Sequence, residues 1–164
     1  MRKVLVLAAA IAAASCGGNS SDLSNAEAQS VASEVSAALQ SHEAVASSRN
    51  QLWAPGSSVS YTCAGGGELD VSGTLSITCP TGLRSCATSG SLTVEAKACK
   101  TAAGVIIDGS LTATVTGTGL SFTKTVTGEI TVKRPDGTTA TCSVNVMVMF
   151  GHISGTVCGA QVTK

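Results

Sequence analysis

A two-residue period constrains this chain more than any other feature. It starts near residue 58 and holds almost to the end of the sequence. Between Leu69 and Cys79 the odd positions are Leu69, Val71, Gly73, Leu75, Ile77 and Cys79, and the even positions are Asp70, Ser72, Thr74, Ser76 and Thr78. Successive side chains of a strand point to opposite faces, so this order builds one dry face and one wet face. The stretch 120–132 repeats it, with Phe122, Lys124, Val126, Gly128, Ile130 and Val132 on one side and Thr or Ser on most of the other. Ala140, Cys142, Val144, Val146, Val148 and Phe150 form a third dry face. One-sided wetting belongs to antiparallel sheets, because parallel strands are covered on both faces and read as continuous apolar runs.

Turn residues separate these runs. In Pro135-Asp136-Gly137 the proline presets φ and the glycine supplies a left-handed position. The stretches 100–104 and 117–119 are further turns, and Phe150-Gly151 is read as a hairpin turn. The sequence therefore predicts a mainly β fold, an antiparallel meander over residues 57–164.

Within it one plan recurs: Val71-Ser72-Gly73-Thr74-Leu75, Ile107-Asp108-Gly109-Ser110-Leu111, Val126-Thr127-Gly128-Glu129-Ile130 and Ile153-Ser154-Gly155-Thr156-Val157. Thr88-Ser89-Gly90-Ser91-Leu92 is a looser copy. Each glycine sits between apolar residues of one parity, and the uneven separations exclude a solenoid. Glycine inside a strand marks a bend or a close backbone approach, so the repeats predict a strongly curved sheet or barrel-like domain. The alternative places some of these glycines in turns between shorter strands.

Before the β region the period changes. Ser24 with Glu27 fits a capping box, and Ala28, Val31, Val35, Leu39, His42 and Val45 recur at three- and four-residue spacing. A helix over residues 25–50 follows, ending where Arg49 suits a helix C-terminus and Trp53-Ala54-Pro55-Gly56 breaks the pattern. Its stripe is narrow and rich in alanine. It either docks on the sheet or stands as a partly solvated stalk.

The N-terminus carries an address. Arg2 and Lys3 precede an apolar stretch, Val4 to Ala14, which is too short to span a bilayer, and small residues lead to Cys16. Ala13-Ala14-Ser15-Cys16 resembles the signal of bacterial lipoproteins, although Ala13 stands where leucine is usual. The resemblance implies removal of residues 1–15 and acylation of Cys16, palmitate being a typical chain. It also implies a membrane partner through that lipid anchor. Gly17 replaces the aspartate that resembles an inner-membrane retention signal, which points to the outer membrane of the bacterial cell envelope. Residues 16–24, with Gly17-Gly18-Asn19-Ser20-Ser21, read as a flexible tether. Ala12-Ala13-Ala14 also suits ordinary signal cleavage, which would leave an odd thiol.

Cysteine parity favours the anchor. Seven cysteines less Cys16 leave six, Cys63, Cys79, Cys86, Cys99, Cys142 and Cys158, an even set for an oxidising compartment. Turn placement suggests Cys142 with Cys158, and Cys86 with either Cys79 or Cys99. No C-x₂-C spacing indicates a metal site.

Catalytic candidates are scarce. His42 and His152, the two histidines, belong to no H-E-x-x-H pair, and no G-x-S-x-G elbow is present. A solvated or capping role is expected for each. Carboxylates are scattered, and Gly65-Gly66-Gly67 reads as a hairpin loop, not a phosphate cradle. Without Arg2 and Lys3 the chain has eight basic and ten acidic residues, so nothing marks a nucleic-acid partner. Four aromatics, Trp53, Tyr61, Phe122 and Phe150, are few for a base- or sugar-stacking platform. Neither an enzyme nor a cofactor is expected. The two functions left are structural or partner-binding contact with an unknown envelope protein, and carriage of an apolar ligand in a concave sheet.

Overall fold

The structure, a computed structural model, describes residues 23–48, 58–78, 86–118 and 121–164. Cys16 and Cys79 lie outside them. One helix, α1 (Asn25–Ser48), precedes eight strands: β1 (Ser58–Thr62), β2 (Glu68–Thr78), β3 (Ala87–Lys100), β4 (Ile106–Thr118), β5 (Ser121–Lys133), β6 (Thr139–Met149), β7 (His152–Val157) and β8 (Ala160–Thr163). All neighbours are antiparallel, and the spatial order equals the chain order, β1 to β8. The fold is the mainly β meander that the alternation predicts.

The sheet is open, since β1 and β8 are not paired with each other. It is nonetheless curled. Laid flat, strands about 4.8 Å apart would put β1 roughly 34 Å from β8. Yet α1 reaches both edges within a short stretch: Gln29 bonds the Thr163 carbonyl of β8 and Glu34 the Ala64 N–H beside β1, about 7.5 Å apart along the helix axis. Only a sheet wrapped around the helix satisfies both contacts. Its inner positions and α1 share one buried cluster, including Val31, Val35 and Leu39 with Leu69, Val94, Leu111, Val126 and Val146.

The repeated glycines lie inside strands, not in turns. Gly73, Gly109, Gly128 and Gly155 have φ of 141°, 128°, 147° and 138°, values that L side chains rarely adopt. Each faces a larger apolar residue across the ladder. Gly73 is opposite Leu92 while Leu75 is opposite Gly90, and Gly109 is opposite Ile130 while Leu111 is opposite Gly128. A methyl group on Gly73 would lie 2.3 Å from the Ser91 carbonyl oxygen. The glycines therefore let neighbouring backbones bend against one another, the local source of the curl.

One irregularity escapes the alternation. Lys97 and Ala98 of β3 together oppose Asp108, a bulge in which Ala98 has φ 48° and donates its N–H to Asp108 Oδ1 at 2.7 Å. The bulge switches parity, so the inner positions run Leu92, Val94, Ala96 and then Cys99.

The capping box forms as expected. The Ser24 N–H donates to Glu27 Oε2 at 2.9 Å and the Glu27 N–H to Ser24 Oγ at 3.3 Å. Those Ser24 bonds hold the Glu27 carboxyl below its usual range. Leu23, buried before the cap, joins Ala28 in the core as a hydrophobic staple.

Phe150 departs from its expected place on the inner face. β6 ends at Met149, and Phe150-Gly151 form a two-residue turn with φ 51° and 80°. That backbone leaves Phe150 68% exposed.

Candidate functional site

The concave side of the sheet is the natural candidate for a site, and α1 occupies it. Three side chains on the N-terminal half of the helix fasten it along the opening. Gln29 Nε2 donates to the Thr163 carbonyl of β8 at 2.9 Å. Ser30 Oγ accepts from the Ala103 N–H in the β3–β4 turn at 3.2 Å, and Glu34 Oε1 accepts from the Ala64 N–H in the β1–β2 turn at 3.3 Å. Glu34 also faces Tyr61: burial first, then the Glu34 charge and a hydrogen bond to it, raise the Tyr61 hydroxyl above its ordinary pKa. The helix is thus hydrogen-bonded to β8, to the β3–β4 turn and to the turn beside β1.

The narrow stripe understates how deeply α1 is covered. Ala32, Glu34, Ser36 and Ala38 are buried along with the stripe residues, because the curled sheet meets the helix on several sides. Small alanines and serines allow that close approach. Among the described residues, a gap lined by Val31, Ala32, Val35, Ser36, Val126, Val144, Val146, Val148 and Val157 measures about 10 Å³. That is about the room of one water molecule.

His42 sits farther along α1 and is fully buried, so the solvated or capping role expected for it does not hold. The reason is tertiary, because its helical position faces the inner side of β5. Burial, and secondarily the charge of Lys124 on β5, lower its pKa to about 4. Lys124 is itself buried, as its parity with Val126 implies. His152 is exposed at the start of β7. The two histidines therefore lie on opposite sides of the sheet. Among the described residues, no group of three His, Cys, Asp or Glu side chains has the arrangement of a metal site.

The cysteines brace both edges of the open sheet. Cys63, at the end of β1, bonds Cys99 on β3, with Cα atoms 5.5 Å apart. Cys142 on β6 bonds Cys158 in the β7–β8 turn at 4.8 Å, the pairing expected from the turn placement. Cys86 is disulfide-bonded too. Its expected pairing with Cys99 is excluded, because the β3 bulge aims Cys99 at Cys63. Around that bond the Gly65 N–H donates to the Lys100 carbonyl at 2.8 Å and the Lys100 N–H to the Gly66 carbonyl at 2.8 Å. The glycine run is accordingly a tight turn stacked on β3.

Sequence reasoning missed Gln29, Ser30 and Glu34. Polar residues on a helix ordinarily read as its solvated side, and no local signal marks these three as facing a sheet edge. Among the described residues no helix is long and apolar enough to cross a membrane. No protein-family model, no curated protein and no solved structure matches this chain.

Proposed function

We propose that this protein is exported and acylated at Cys16, and that it is held on the bacterial cell envelope with the outer membrane as its destination. There its β domain acts without catalysis, by structural or partner-binding contact with another envelope component. The observation that carries this reading is the state of the thiols. All five described cysteines of the β domain, Cys63, Cys86, Cys99, Cys142 and Cys158, are in disulfides. Such bonds persist in oxidising compartments, and with Cys79 as the partner of Cys86, the pairing the turn placement suggests, Cys16 is the odd thiol available for a lipid.

The alternative, carriage of an apolar ligand on the concave face, competes with α1 for that face, and the described gap between Val31–Ser36 and β5 to β7 is about 10 Å³. A docked helix with its own hydrogen bonds to β8 and two turns supports the contact role instead.

Intact mass of the membrane-extracted protein tests the address. A chain beginning at Cys16 with added acyl mass is expected, and an unmodified chain beginning at Ser15 refutes the anchor. Lipid analysis of the same material tests the role. A stoichiometric bound lipid other than the anchor would transfer the preference to the carrier.

A further inference from the structure

The outer face of the sheet is divided across its strands. One outward row runs Ser72, Thr93, Thr112, Thr127, Asn145 and Thr156 through the registers of β2 to β7. The two rows beyond it, toward the β6–β7 turn, run Thr74, Ser91, Thr114, Thr125, Met147, Ser154 and then Ser76, Ser89, Thr116, Thr123, Met149, His152. None of these rows holds a carboxylate, a lysine or an arginine. The next row in the opposite direction holds Asp70, Glu95 and Glu129, Glu68, Lys97 and Asp108 follow, and Lys100 and Lys133 lie in the row beyond. There Lys97 Nζ lies 2.6 Å from Asp70 Oδ2.

At the tip of the neutral half are the exposed large hydrophobic side chains, Met147 (44%), Met149 (46%) and Phe150 (68%). Phe150 occupies the left-handed region, φ 51°, where asparagine or glycine is the usual hairpin residue. The turn thus holds an aromatic ring in solvent at a conformational cost. Lys164 lies nearby, its backbone hydrogen-bonded to Ile153 in both directions.

We infer that the Met147–Met149–Phe150 tip docks into the interface of a phospholipid bilayer, with the strands steep to the membrane and the charged half held away from it. The order apolar, neutral, charged runs along the strands, which is the direction a bilayer normal imposes. A protein or glycan lying across the face would not require that order. The three side chains expose on the order of 300 Å², well short of the roughly 800 Å² per partner of a stable dimer, so a second copy is a poor occupant. An aromatic side chain is suited to the membrane–water interface, and the rows nearest the tip carry no Asp or Glu side chain to repel anionic headgroups. The inference does not depend on Cys16.

The test uses the chain from residue 16 onward with Cys16→Ser, so that neither an acyl group nor the apolar stretch before it contributes, and vesicles of phosphatidylcholine and phosphatidylglycerol. Co-sedimentation is expected to fall about tenfold or more in Phe150→Asn, while thermal stability rises because asparagine tolerates the left-handed turn. A Phe150→Trp variant should shift its emission to the blue on adding vesicles and be quenched by brominated lipid. Equal sedimentation of the parent and Phe150→Asn chains overturns the inference. So does retention on a neutral glycan matrix that depends on Phe150 without vesicle binding. A fall in stability with unchanged sedimentation would assign Phe150 a structural role instead.

Discussion

Acid should loosen this protein through His42. The imidazole is fully buried against the sheet and its pKa is lowered to about 4 from 6.5, with burial as the larger cause and Lys124 as the smaller. In the unfolded chain the ring takes a proton near its ordinary pKa, so between those values the unfolded state binds more protons. The stability associated with a neutral His42 is therefore fully present above about pH 6.5, declines as the pH falls toward 4, and is gone below that. Between pH 7 and 5 the loss is about 2 kcal/mol if the whole shift counts, and about 1 kcal/mol after allowance for solvent screening. Urea unfolding at half-unit pH steps measures it. The carboxyls whose pKa is lowered, Glu27, Asp70 and Asp136, respond mainly below this window. His42→Leu should flatten the profile between pH 5 and 7, whereas Lys124→Met should reduce the slope only in part. An unchanged slope in His42→Leu would refute the reasoning, and complete flattening in Lys124→Met would reverse the order of the two causes.

Loop length ranks the disulfides. The Cys63–Cys99 bond spans 36 residues and Cys142–Cys158 spans 16. Chain entropy then gives about 4 and about 3 kcal/mol for replacing each pair by alanine, readable as shifts in the urea midpoint. Gly73→Ala puts a methyl group 2.3 Å from a backbone oxygen, whereas Gly109→Ala meets its nearest atom at 3.2 Å. Thermal melts should show the first losing about 3 kcal/mol or more and the second about 1–2 kcal/mol. Ser24→Ala removes the N-cap of α1 and should cost about 1 kcal/mol by the same measurement.

The strands were legible because the dry and wet positions alternate in β2, β5 and β6, with Lys124 the one charged residue on a dry face, and backbone geometry converts parity directly into faces. The capping box and the β5–β6 turn were legible for a similar reason, since Ser24 with Glu27 and Pro135 with Gly137 act over a few residues of chain. The pairing of Cys142 with Cys158 followed from a turn signal near it. Where two distant segments had to meet, the sequence was silent. Nothing local separates Cys99 from Cys79 as a partner of Cys86, and only the bulge at Ala98, set by Asp108 on the next strand, turns Cys99 toward Cys63.

The same division governs the candidate site. Residue order by itself determined that one face of a glycine-bent antiparallel sheet would be apolar, and that a small-residue helix would precede it. Tertiary structure alone decided that the helix fills the concavity and that Glu34, Ser36 and His42 are buried with it. The physical reason is that curl is a collective property. Each glycine permits a bend, but how far eight strands close around α1 is decided by the packing of the whole sheet against it.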